Sequence, residues 1–266
     1  LSKSYGDVKA LKGVTFSLSR GLSLILGPNG SGKTTLIKIL AGIIRPDRGS
    51  IKLLGRDYRS VDRGEIGFAL ERPVAPPRVR VESYLRAVAE YRGEDNVDEL
   101  IETFGLWEHR KKRFKELSQG YRRRFLLAAA FAGRPRAVFL DEPFSNLDVV
   151  SKVELGRTFL EMKGKVSIVI VSHIISGLRG LDSFVLLHNG EVVLNRVGRD
   201  LDTIGGFRAV FKDGTVVEND VDGMTALIRD GRELLRIEPI TPEDMMYERL
   251  KGPGSETWRA CRSPTA

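Results

Sequence analysis

The nine residues "GPNGSGKTT", Gly27 to Thr35, constrain this chain more than any other stretch. They follow the β-prone run "LSLIL" and open the helix-prone run "GKTTLIKILAGI", so they read as strand, glycine-rich loop and helix start. Glycines let backbone N–H groups turn inward around phosphate oxygens, and a helix N-terminus adds partial positive charge. Gly27, Pro28, Asn29, Gly30, Ser31, Gly32, Lys33, Thr34 and Thr35 are therefore candidate nucleotide-binding residues. Lys33 would place a point charge on the β- and γ-phosphates, and the Thr34 hydroxyl would ligate Mg²⁺. A short strand feeding such a loop belongs in an α/β sheet.

The rest of the chain divides around that loop. Residues 1 to 70 carry short β-like runs, "VTFSLS", "LSLIL", "SIKLL" and "EIGFAL", around one strong helix. Residues 72 to 135 lose β character: "VESYLRAVAEYR", "NVDELIETFGL" and "YRRRFLLAAAFAG" have helical spacing and are broken by Gly or Pro. Buried strands return over 137 to 196 with "AVFL", "VSIVIV" and "SFVLLH". The expectation is an α/β sheet core interrupted by a helical insertion, forming one domain over residues 1 to 198. Beyond it, "FRAVFKDGTVVEN" carries Asp213-Gly214 between β-prone runs, a hairpin signal. "MTALIRDG", "ELLRIEPI" and "TPEDMMYERLKG" continue as helix, strand and helix. A small α+β unit over 199 to 252 and a flexible tail over 253 to 266 are expected.

Two further places carry chemistry. In "AVFLDEP" an apolar strand ends on Asp141 and Glu142. A carboxylate at the end of a buried strand is costly unless it meets a cation. Asp141 would hold the metal, directly or through water, and Glu142 would polarise an attacking water. His173 follows "VSIVIVS" at a strand exit, where α/β sheets place their ligands; it would bond the γ-phosphate or orient the water. "ELSQGYRRRF", residues 116 to 125, puts a serine, a glycine and three arginines at a helix start without an evident nucleophile or base.

The order "GPNGSGKTT", "LSQG", "VFLDEP", "SNLD", "VSH" resembles the nucleotide-binding subunit of an ATP-binding cassette transporter over about residues 1 to 195. The resemblance implies a P-loop NTPase core sheet with an antiparallel β subdomain and an inserted helical subdomain. It implies ATP and Mg²⁺ as cofactors, and two cassettes dimerising head to tail. Ser118, Gln119 and Gly120 then match the family signature, with Gln119 in place of a glycine and Tyr121 in place of a glutamine. Together with Asp148 of the D-loop they would act on the partner's nucleotide. Ser118 would cap a helix that binds charge and needs no catalytic side chain of its own. Arg124 falls on the arginine common after the signature, and Tyr5 falls where an aromatic ring stacks on adenine. Glu71 stands where the family has glutamine as a metal ligand, and the Pro-rich stretch after it lies where the family contacts its membrane subunit. The implied partners are a second cassette and a polytopic permease, placing the chain on the cytoplasmic face of the membrane. The ending "IEPITPEDMMYERL" resembles tails of export-type cassettes.

Composition bears on what else is open. Forty-three Lys and Arg against 35 Asp and Glu leave +8, which raises nucleic acid or an anionic membrane surface as partners beside a plainly solvated surface. The cations are not interleaved with aromatics as in a single-strand-binding groove, and no nucleic acid is expected. The alternative is a soluble, non-transport ATPase of the same superfamily acting on nucleic acid or ribosomes. A small-molecule kinase would leave "LSQG" and "SNLD" without a role. The longest apolar runs, "FLLAAAFA" and "SIVIVS", are far short of the ~20 residues of a membrane span. No basic-then-apolar leader suggests secretion, and a single Cys261 fits a reducing compartment.

Overall fold

The computed structural model describes residues 1–71, 75–145, 147–173, 180–198, 206–212, 216–219 and 234–240. Two short hairpins come from the first sixty residues. Strands β1 (Lys3–Tyr5) and β2 (Val8–Leu11) pair antiparallel, as do β4 (Lys52–Leu53) and β5 (Arg56–Asp57). Between them lie β3 (Leu22–Leu26) and helix α1 (Lys33–Leu40). Then follow β6 (Ile66–Ala69), α2 (Val81–Arg92), α3 (Val97–Thr103), α4 (Gln119–Phe131) and β7 (Ala137–Asp141). The cassette closes with α5 (Val149–Met162), β8 (Ser167–Ser172), β9 (Ser183–His188) and β10 (Glu191–Val197).

The central sheet has the order β10-β9-β3-β8-β7-β6. Its strands β9, β3, β8, β7 and β6 are parallel, and β10 pairs antiparallel at the edge. Parallel strands are covered on both faces, which is why they read as unbroken apolar runs. Side chains alternate between faces along a strand, and here the alternation sorts them into two cores. Leu22, Leu24, Val138, Leu140, Ile168, Ile170, Phe184 and Leu186 face the core shared with α2 to α5. Their neighbours Ile25, Phe139, Val169, Val171, Val185 and Leu187 face α1 and the first hairpin. Burying each such side chain stabilises the fold by about 1.5–3 kcal/mol.

The helical insertion lies where the spacing places it, within residues 72 to 135. Helix α2 ends at Gly93, whose φ of +85° closes the last turn. Helix α4 begins at the N-cap Ser118. One expectation changes: "VTFSLS" forms no strand. Val14 is buried while Phe16 and Leu18 are half-buried, so the alternation is real. However, the Val14 N–H bonds Leu1 O and the Ser19 N–H bonds Ser183 Oγ, which hold the ends of the stretch outside any ladder.

Beyond the cassette, β11 (Gly206–Phe211) and β12 (Val216–Asn219) pair antiparallel, while Asp213 and Gly214 lie outside the described residues. Strand β13 (Leu234–Ile240) pairs with the other edge of β11. Phe211 is 1% exposed and packs in the same core as Leu194 of β10. The two helices expected in "MTALIRDG" and "TPEDMMYERLKG", and the tail from 253, lie outside the described residues.

Candidate nucleotide-binding site

The strand order brings three chain segments side by side. Leu26 of β3 stands opposite Ser172 of β8, and Asp141 of β7 stands opposite Val171. The first loop residue, Gly27, donates its N–H to Ser172 O at 3.2 Å, and Glu142 donates its own to Val171 O at 2.8 Å. The P-loop, His173 and the Asp141-Glu142 pair therefore leave the same edge of the sheet as neighbours.

The loop needs its glycines. A Cβ on Gly27 would lie 2.4 Å from Leu187 O, and one on Gly32 would lie 2.5 Å from Ala10 O. Gly32 also has φ of +101°, a left-handed conformation that side-chain-bearing residues rarely adopt. Lys33 is buried, and its Nζ donates to Gly27 O at 2.6 Å and Pro28 O at 3.0 Å, so the ammonium curls back across its own loop. The buried Ser31 Oγ finds no partner among the described residues, and Thr34 is exposed at the first turn of α1.

Opposite, Asp141 and Glu142 are 3% and 8% exposed. Burial pushes the Asp141 carboxyl up to about 6; Glu142 and Glu71 push the same way, while the Glu71 N–H and Lys33 pull it down. Glu71 thus lies beside Asp141. Glu142 has φ of +48°, a strained conformation for a non-glycine residue. Both its carboxylate oxygens are engaged: Ser172 Oγ donates to Oε2 at 2.8 Å, and His173 Nδ1 lies 2.6 Å from Oε1.

Two residues of this arrangement escape sequence reasoning. Ser172 is one position before His173, and its role follows only from the β7–β8 pairing. Arg123 is 7% exposed. It donates to the backbone oxygens of Leu70, Asp141 and Pro143, tying the ends of β6 and β7 together. Burial holds this guanidinium down to about 10, so it stays charged at neutral pH. The three arginines of "YRRR" do part company around the helix. Arg122 bonds Phe114 O and Lys115 O, and Arg124 bonds Ser151 Oγ and Glu154.

The remaining candidates stand at open surfaces. Ser118 Oγ accepts the Tyr121 N–H at 3.4 Å, and Ser118 and Gln119 are exposed. A Cβ on Gly120 would meet only Leu147 Cδ2 at 3.9 Å, so this helix start has room for close approach. Tyr121 stacks on His109 with ring centroids 3.8 Å apart. Asp148 caps α5, accepting the Ser151 N–H at 2.8 Å and the Ser151 hydroxyl at 3.0 Å, and those bonds lower its pKa. Tyr5 is 49% exposed, so its ring is not a packing residue.

The donor set suits a phosphate-bound Mg²⁺. Among the described residues no group of three His, Cys, Asp or Glu forms a metal cage. Mg²⁺ typically takes one or two protein oxygens and completes its shell with phosphates and water. Thr34 and the buried Asp141 are oxygen donors of the kind such a partial site would use.

The family described as ABC transporter matches residues 11–145. The chain belongs to that family. The lantibiotic transport ATP-binding protein SrtF of Streptococcus pyogenes is 30% identical over 201 residues, covering 74% of this chain and 88% of that protein. The uncharacterized ABC transporter ATP-binding protein YxlF of Bacillus subtilis is 32% identical over 200 residues, covering 72% and 67%. A solved ATP-binding subunit of an ABC transporter superposes with a TM-score of 0.68 at 30% identity, covering 77% of this chain and 89% of that one. This ABC chain is an ATP-binding, ATP-hydrolysing subunit. Its role is in transport, and the nucleic-acid alternative raised by its charge falls away. Among the described residues no helix is long and apolar enough to cross a membrane.

Proposed function

We propose that this subunit hydrolyses Mg²⁺-bound ATP at the P-loop edge of the sheet, and that a second cassette completes the site head to tail. The observation that carries this reading is the pinned Glu142, held at both oxygens by Ser172 and His173 beside the loop of Lys33. Bound Mg²⁺ would neutralise phosphate charge, with Thr34, Asp141 and Glu71 as its protein ligands. Lys33, freed from its loop carbonyls, would hold the β- and γ-phosphates, and the N–H groups from Gly27 to Thr35 would cradle them. Glu142 takes the proton of the attacking water, and His173 fixes the carboxylate that receives it. Tyr5 stacks on the base.

Ser118, Gln119 and Gly120 present an uncluttered helix N-terminus that suits a phosphate brought by another subunit, with Asp148 at the same interface. The work of the cycle would pass to a separate polytopic permease through the segment after Glu71, which places this subunit on the cytoplasmic side of the membrane. Residues 1 to 198 form the cassette, 199 to 252 an accessory unit and 253 to 266 a tail.

Glu142→Gln tests the reading. The variant should bind ATP with near-normal affinity, turn over at least a hundredfold more slowly, and accumulate ATP-dependent dimers in light scattering. Near-normal turnover would remove Glu142 as the base.

A further inference from the structure

Arg123 belongs to the signature helix, yet its side chain reaches the acidic wall of its own subunit's site. The guanidinium acts as a three-way fork. Nε donates to Pro143 O at 3.3 Å, Nη1 to Leu70 O at 3.0 Å, and Nη2 to Asp141 O. Each acceptor belongs to or adjoins one acid of the site: Leu70 precedes Glu71, Pro143 follows Glu142, and Asp141 is the third. Asp141 O and Pro143 O also bracket Glu142 at φ +48°, a conformation that persists only where its surroundings fix it.

The same arginine stands in the second turn of α4, about 7.5 Å along the helix from its cap Ser118. Its neighbours tie α4 elsewhere, Arg122 to Phe114 O and Lys115 O, Arg124 to Ser151 and Glu154 of α5. Among the described residues, Arg123 makes the only side-chain hydrogen bonds from α4 to the ends of β6 and β7. At the far end of α4 a Cβ on Gly67 would lie 1.9 Å from Ala130 O, so the helix rests directly on β6 there. Apolar packing of Phe125, Leu127 and Ala128 keeps the helix against the sheet but is non-directional. The fork is directional, and it fixes where the helix starts.

We propose that Arg123 is a positioning residue for both nucleotides of the closed dimer. It acts through Glu71, Asp141 and Glu142 on the one its own subunit holds, and through the start of α4 on the partner's. This role rests on the head-to-tail reading and names the residue that joins its two halves. Any shift of the acidic wall is passed to the helix start that serves the other site. A lysine cannot replace the arginine, because an ammonium keeps the charge but lacks the planar fork that holds three carbonyls at once.

The test places Arg123→Lys in either half of a dimer that has one working site. A Lys33→Ala chain lacks the phosphate lysine and a Ser118→Arg chain lacks the open helix start, so neither is active alone. Mixed, they share one intact site, made by the P-loop of the Ser118→Arg chain and the signature of the Lys33→Ala chain. Arg123→Lys is added to one chain or to the other, and ATP turnover is compared with the mixture that keeps arginine in both. Each placement should lower kcat at least about tenfold, with KM for ATP within about threefold. Arg122→Lys in either place should leave turnover within about threefold of the reference.

A loss confined to the chain that holds the nucleotide would make Arg123 a brace of the acidic wall alone. A loss confined to the chain that lends its signature would make it part of the helix alone. Either result overturns the proposal, as would full activity in both placements. An inactive reference mixture of folded chains, with the parent active, would refute the head-to-tail reading and this role with it. Melting each chain checks the fold. If the lysine variant does not fold, Arg123→Met keeps the aliphatic length without the fork, and the same two losses are expected of it.

Discussion

Replacing Asp141 by Asn should make the nucleotide-free protein more stable while destroying its response to Mg²⁺ and ATP. The carboxyl is 3% exposed and titrates at about 6, against an ordinary 3.8. An acid whose folded pKa is raised is disfavoured when ionised. Its contribution to stability is undiminished below the unfolded pKa, falls as pH rises towards about 6, and stays low above. A gap of about two units corresponds to about 3 kcal/mol at pH 7.5. Asn is neutral, and its amide oxygen can still accept the Glu71 N–H that bonds the carboxylate. Arg123 bonds the Asp141 backbone oxygen, which the substitution leaves in place. For a domain of this size the gain is about 6–12 °C in Tm. Melting both proteins without nucleotide or divalent metal, from pH 4 to pH 8, measures it. The two Tm values should converge near pH 4 and separate as pH rises. Adding Mg²⁺ and ATP should then raise the parent's Tm and leave the variant's nearly unchanged. A variant less stable than the parent at pH 7.5, or a difference independent of pH, would show that the carboxylate is not held against its preference. The trade is the usual one at a charged site, where stability is given up to position a group for a ligand.

Arg123→Leu should remove a donor from three backbone oxygens, at up to about 1–3 kcal/mol each. Its Tm should fall well below that of Arg122→Leu, which loses only exposed or half-buried partners; equal losses would deny the brace its role. Ser118→Arg should abolish hydrolysis with ATP affinity of the monomer nearly intact. Mixing it with Lys33→Ala should restore part of the activity through the one intact site, and a large loss of monomer affinity would refute action in trans. Glu71→Gln should stay within about tenfold of parental turnover, ~1.4 kcal/mol in barrier, but need more Mg²⁺. If it is inactive at saturating Mg²⁺ while Glu142→Gln is not, the two acids have exchanged roles.

The parts of this protein legible in its sequence are those decided within a few residues. "LSLIL" before "GPNGSGKTT" announces strand, loop and helix, because the glycines and the apolar run act locally. Asp141 and Glu142 stand out because an acid ends a run of four apolar residues. The Ser118 N-cap and the β11–β12 pairing signal are local in the same way. "VTFSLS" misleads because alternation measures which side of a segment is buried, and pairing needs a partner that alternation does not name.

Tertiary structure decides the rest. Strands β3, β7 and β8 are equally apolar, and nothing in their composition ranks their neighbours. Only the covering of both faces at once selects β3-β8-β7 and so sets His173 2.6 Å from Glu142 across 31 residues of chain. Helix phase, at about 100° per residue, picks Arg123 for burial from three adjacent arginines, but only once the helix has a sheet to lie on. Local propensity answers to neighbours along the chain, while a site assembled from strand ends answers to the burial of whole layers.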